Sequence, residues 1–178
     1  MARLHPTRTR ALMPPKLLVW AWLRLAGAQD ALSRISLEGA LILGLVAVSL
    51  VTHGLNMFHY PSFTRLDDEG IYAQQAWAII RQGRLAPYTY FYDHAPAGWI
   101  LLATWLALTG GPETFGGAID SGRMFMLLLH LASVPLLYRL ARRLGCTPAF
   151  AAFAGLLYSV SPMAIGYPRL LLLDNIMI

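Results

Sequence analysis

The stretch "GALILGLVAVSLVTHGLNMF", Gly39 to Phe58, contains no Asp, Glu, Lys or Arg. A helix of about 20 such residues, rising about 1.5 Å per residue, matches a hydrocarbon core of about 30 Å. Composition points the same way. The chain is 57% hydrophobic and 13% charged, where soluble domains run at about 45–50% apolar and about 25% charged. The mean hydropathy is +0.52. The sequence therefore predicts an all-α integral membrane protein.

Two further stretches have the character of spans. Met124 to Leu140 is shorter, with Arg123 and Arg139 placed to snorkel at its ends. Pro148 to Tyr167, "PAFAAFAGLLYSVSPMAIGY", has full length and an internal Pro162 that predicts a kink. Ala97 to Thr109 is too short, at about 13 residues, and predicts a helix lying on the outer face.

The net charge of +5 is unevenly placed. Arg3, Arg8, Arg10, Lys16, Arg24 and Arg34 precede the first span, and Arg139, Arg142 and Arg143 form a second basic knot. Lys and Arg favour the cytoplasmic side, which accounts for both clusters without nucleic acid. Both lie inside only if Ala97 to Thr109 does not cross. The expected order is a basic cytoplasmic segment (1–36), a first span (37–58), an outer loop (59–122), a second span (123–143), a third span (147–167) and the start of a next outer segment (168–178). Leu17 to Ala28 predicts an interfacial amphipathic stretch. The lone Cys146 excludes an intramolecular disulfide. The ending "LLLDNIMI" stops within an apolar run and suggests the front piece of a longer protein.

Within the outer loop, Asp67, Asp68 and Glu69 head a predicted amphipathic helix with Ile71, Tyr72, Trp77, Ala78 and Ile79 on its apolar face, closed at Gly83. Two readings fit the acids. They are caps suited to the positive end of a helix dipole, or one of them is a fixed carboxylate that takes a proton. His53, His59 and His130 show no ligand spacing with Cys, Asp or Glu, so no His-based metal site is expected. The carboxylates admit a hard divalent cation without requiring one. The aromatic run Pro87 to Tyr92 suits an interfacial belt or a sugar-stacking surface.

"DDEGIYAQQAWAIIRQGRLAPYTYFYDHAPAGW" resembles the first outer loop of the GT-C membrane glycosyltransferases. The likeness is to the family 39-like enzymes, which include protein O-mannosyltransferases and lipid A aminoarabinose transferases. Asp68 and Glu69 stand in the place of that family's Asp-Glu pair, with Tyr72 and Ala73 as the Tyr-Ala that follows. "DHAPAGW" corresponds to its entry to a short apolar helix, with His94 and Pro96 replacing a stricter Lys-Pro or His-Pro-Pro. "GRMFMLLLHLASVPLLYRLARRLG" resembles the second span, and "SPMAIGYPRLLLLDN" the segment leading to a second outer acid, Asp174.

The resemblance implies GT-C-like transmembrane helices and an outer loop of interfacial helices in the plasma or inner membrane. It implies transfer of a sugar, with inversion, from a polyprenyl-phosphate carrier to a protein, lipid or glycan acceptor on the extracytoplasmic face. The carrier is a substrate, and no cofactor is expected. Asp68 would be the base, Glu69 would orient it or the acceptor, and Asp174 would add a polar contact. Arg123 and Arg169 are the best-placed partners for the phosphate, with His94, Arg84 and Tyr72 as further donor-side contacts. Plainer roles stand beside these: a snorkelling Arg123, and an Arg169 paired with Asp174. Two other function classes also remain, a small non-enzymatic multi-pass membrane protein and a transporter subunit, in which acids inside the membrane relay protons; against the latter, the acids here are predicted outside the hydrocarbon.

Overall fold

The computed structural model describes residues 36–59, 67–87, 96–111 and 113–177, and the regular structure there is helical throughout. The elements are α1 (Leu37–Gly54), α2 (Asp67–Gln82), α3 (Pro96–Leu108), α4 (Ala118–Arg143), α5 (Pro148–Val160), α6 (Pro162–Gly166), a 3-10 turn (Tyr167–Arg169) and α7 (Asp174–Met177). Ala40–Ile178 forms one compact unit, and every contact below lies within it. The stretch Leu17 to Ala28, Arg65, His94 and most of the aromatic run lie outside the described residues.

Two helices are long and apolar enough to cross a membrane, α1 with 18 residues and α4 with 26. A third crossing exists if α5 and the α6 to 3-10 segment act as one span, bent by 57° at the break between them. α3 is apolar but has only 13 residues. Because α4 begins at Ala118, Arg123 lies within its second turn and not at its mouth.

α1 is apolar outside and partly polar inside. Leu43, Leu50 and Val51 are exposed, whereas Leu45, Ser49 and His53, one turn apart, are buried. Interiors of this kind are held by close packing and polar contacts, because lipid tails are as apolar as leucine. Leu45 packs with Val134, Tyr138 and Ala151. A Cβ on Gly155 would lie 2.8 Å from the Leu45 Cδ1, so the glycine lets α5 approach α1 closely. One turn on, the Ser49 and Ser159 hydroxyls hydrogen-bond at 2.6 Å. The paired positions advance together along α1 and α5, so these helices run parallel, while α4 runs against them.

The break after Val160 leaves the last carbonyls of α5 without helical partners. Two side chains of α1 satisfy one of them. Thr52 Oγ1 donates to the Ser159 carbonyl at 2.9 Å, and His53 Nε2 donates to the same oxygen at 3.1 Å. At the other end, α4 stops at Gly145, whose φ of 91° suits glycine, with Cys146 N–H closing on the Ala141 carbonyl at 3.1 Å. Thr147 then caps α5 and Pro148 occupies its first turn.

A second cluster packs α2, α3 and the start of α4 around Tyr72, Ala73, Ala76, Trp99, Leu102, Ala103, Leu106 and Met126, joined by Leu171 and Leu173. Ala73 and Ala76 are small enough for α3 to lie close. The buried face of α2 thus runs through Tyr72, Ala73 and Ala76, and Trp77, expected on the apolar face, is turned out at 41% exposure. α2 ends at Gly83, whose φ is 66°. The chain then folds back so that Gln75 brackets Ala86. Gln75 Oε1 accepts from the Ala86 N–H at 2.9 Å, and its Nε2 donates to the Ala86 carbonyl at 3.3 Å. Gln75→Leu removes both bonds to the Ala86 backbone and is expected to cost about 1–3 kcal/mol. Unfolding of the micelle-bound chain in graded SDS measures it, and an unshifted midpoint would refute the bracket's role.

Candidate functional site

On an α-helix, positions 69, 72, 73 and 76 share one face. The stripe of α2 that packs into the core therefore carries a carboxylate at its head. Glu69 is 2% exposed. Arg123, 4% exposed, answers it from α4. The Arg123 Nε donates to Glu69 Oε1 and its Nη2 to Oε2, both at 2.8 Å. Its Nη1 donates to the Met57 carbonyl at 3.1 Å. Glu69 Oε1 also accepts from the Leu171 N–H at 2.8 Å. Such two-pronged, charge-assisted bonding is the strongest side-chain pairing available, and it fixes orientation as well as distance.

This clasp joins four parts of the chain: the end of α1, the head of α2, the second turn of α4 and the strand-like stretch before α7. Its closure depends on Gly122. A Cβ there would lie 2.5 Å from the Leu171 Cδ2 and 2.8 Å from its Cδ1. Without one, the Leu171 segment comes near enough for its N–H to reach Glu69.

Asp68 sits one residue before Glu69, turned out to solvent. Among the described residues it has no hydrogen-bond partner. The first turn of α2 thus separates two carboxylates by role. Glu69 has its lone pairs committed inside, and Asp68 has its own available at the surface. Of these two, Asp68 is the one exposed to solvent.

The remaining candidates are distributed as follows. Arg169 is 9% exposed and its Nη2 donates to the Thr52 carbonyl, one of the unpaired carbonyls at the end of α1. A cation there suits the negative end of the helix dipole. Asp174 is exposed at the first residue of α7. The neighbouring Asn175 ties α7 back through its Nδ2 to the carbonyls of Tyr167 and Leu170, both at 3.0 Å. Arg84 is exposed just past α2. Tyr72 is 5% exposed, packed in the α2–α3 core. Arg123 neither snorkels nor presents a free fork to a phosphate, because its pairing with Glu69 and Met57 occupies it. His94 lies outside the described residues.

Sequence reasoning passed over a second polar centre. The rings of His53 and His130 lie face to face with centroids 3.7 Å apart, and His130 stacks on Tyr158 at 4.8 Å. Since His53 Nε2 donates to a carbonyl, its Nδ1 is the bare nitrogen, and among the described residues that atom and both nitrogens of His130 have no hydrogen-bond partner. A cavity of about 190 Å³ opens beside His130, Ser133 and Tyr158. The available sign in the sequence was two histidines inside apolar spans, where polar residues are costly. Among the described residues, no group of three or more His, Cys, Asp or Glu is placed to hold a metal ion.

Comparison of the chain with protein-family models, with curated proteins and with solved structures found no match.

Proposed function

We propose that this chain belongs to a membrane glycosyltransferase of the GT-C type, which moves a sugar from a polyprenyl-phosphate carrier to an acceptor on the extracytoplasmic face. The observation that carries the reading is the division of labour in the first turn of α2. Glu69 is locked into Arg123 and the Leu171 N–H, while Asp68 is held at the surface beside it. A general base needs a fixed position and an open lone pair. Glu69 supplies the first requirement for its neighbour, and Asp68 supplies the second.

In this mechanism Asp68 takes the proton from the acceptor as its oxygen attacks the anomeric carbon, and the carrier phosphate leaves from the opposite face. Glu69 and Arg123 act as positioning residues. The clasp also fixes Leu171, and through the short stretch that follows it sets the place of Asp174. Arg169, bound to the end of α1, holds the other side of that stretch. The outward direction follows from the basic N-terminus and the knot at Arg139, Arg142 and Arg143, which favour the cytoplasm.

The test is a transfer assay on the protein expressed from its complete gene, with a polyprenyl-phosphate sugar as donor, comparing the wild type with Asp68→Asn. A second reading, a transporter subunit, draws on the His53–His130 pair and its cavity. It predicts that His130→Phe abolishes function and that Asp68→Asn does not.

A further inference from the structure

We propose that the hollow between α2 and the turn after α3 binds a saccharide. It has a volume of about 590 Å³, and its lining includes Trp77, Arg81, Gly110, Gly111 and Glu113. That volume falls within the range of about 300–1,000 Å³ common for small-ligand sites. The proposal goes beyond the transferase reading. Trp77 stands nine residues after Asp68, roughly 13 Å along the helix, and the chemistry argued here makes no use of Asp68.

The ligand class follows from what lines the hollow. Trp77 is 41% exposed on the side of α2 that faces away from the core. An indole face left open beside polar groups offers a platform for the C–H faces of a sugar ring, apolar at one end and hydrogen-bonding at the other. The Arg81 guanidinium lies over one face of the ring, with its Cζ 5.8 Å from the centroid, so a sugar would stack on the other face. Arg81 and Glu113 are both exposed, and neither forms an ion pair with the other among the described residues. Two opposite charges left apart across one hollow present a set of donors and a set of acceptors. A row of hydroxyls satisfies both. An anion would meet Glu113, and an ammonium group would meet the Arg81 cation already over the indole.

The far wall is firmly built. Gly110 and Gly111 take φ values of 96° and 106°, which glycine adopts without strain. Gly111 N–H bonds the Leu106 carbonyl at 2.7 Å. Thr114 Oγ1 then donates to the Thr109 carbonyl at 2.8 Å and is 3.1 Å from that of Gly111. Glu113 is therefore carried on a turn tied to the end of α3.

The experiment is saturation-transfer NMR on the 178-residue chain in detergent micelles. The probes are methyl α-mannoside, methyl β-glucoside and N-acetylglucosamine, each at millimolar concentration. The wild type is expected to transfer saturation to the ring C–H protons of at least one probe. Trp77→Ala is expected to weaken that binding about tenfold, Trp77→Phe to retain most of it, and Glu113→Ala to weaken it without touching α2. Asp68→Asn is expected to leave it unchanged, so failure of the transferase reading and failure of this one are separate results. The proposal is overturned if no probe receives saturation, or if Trp77→Ala and Glu113→Ala both bind as the wild type does. It is equally overturned if Trp77 fluorescence responds to phosphatidylethanolamine vesicles and to none of the sugars, which would mark a lipid headgroup site.

Discussion

Arg123→Met is expected to lower the stability of the chain by about 3–5 kcal/mol, the usual loss when one partner of a buried ion pair is removed and the other charge remains. Methionine keeps the length of the arginine stem, so the packing of α4 is little disturbed. Glu69 then stays in a pocket that excludes water, with the Leu171 N–H as its remaining protein donor. Glu69→Gln combined with Arg123→Met removes both charges but keeps an oxygen for Leu171. The pair of changes is expected to recover most of the loss, because well-packed neutral replacements of buried ion pairs are often neutral or stabilising. Far-UV circular dichroism during SDS titration of the micelle-bound protein measures all three chains. A single variant within about 0.5 kcal/mol of the wild type, the range of ordinary surface changes, would mean that the clasp does not hold the fold. A double variant no better than the single would mean that lost packing, and not stranded charge, sets the cost.

Asp68→Asn is expected to reduce sugar transfer by about 10²–10⁴-fold, the usual contribution of a positioned general base. Membrane insertion and abundance should stay near normal. Asn serves about as well as Asp near a helix start, and among the described residues Asp68 has no hydrogen bond that the change would break. Glu69→Gln should behave differently. It weakens the clasp, so it is expected to lower stability together with activity, whereas Asp68→Asn lowers activity alone. Transfer by Asp68→Asn within about threefold of the wild type, far less than removal of a base produces, would remove Asp68 from the mechanism and leave it as a first-turn acid suited to the helix dipole.

The apolar helices were legible from sequence because length and composition alone define them. The interior they enclose was not. The span boundary was drawn at Arg123 because a charge is costly in a membrane. The structure places Arg123 inside a helix, since Glu69 and the Met57 carbonyl satisfy it, and partners so far apart along the chain leave no local mark. The same holds for His53 and His130. The amphipathic pattern groups Tyr72 and Trp77 with Ile71, Ala78 and Ile79 on one apolar face. Tertiary packing separated them, with Ala73 and Ala76 admitting α3 on the Tyr72 side. Asp68 and Glu69 could be singled out as a pair, but adjacent helix positions point about 100° apart, and which of the two faces inward is fixed only by the finished core.

The break in α5 bears on how such a chain could be built into a membrane. Pro148–Val160 has only 13 residues, and its last carbonyls emerge where hydrocarbon would surround them. Thr52 and His53 receive the Ser159 carbonyl, and both belong to a helix synthesised about a hundred residues earlier. A translocon releasing the α5 segment into lipid alone would expose unpaired backbone there. One releasing it against an α1 already in place would not. Near its end α1 thus offers the later segment backbone partners as well as a packing surface.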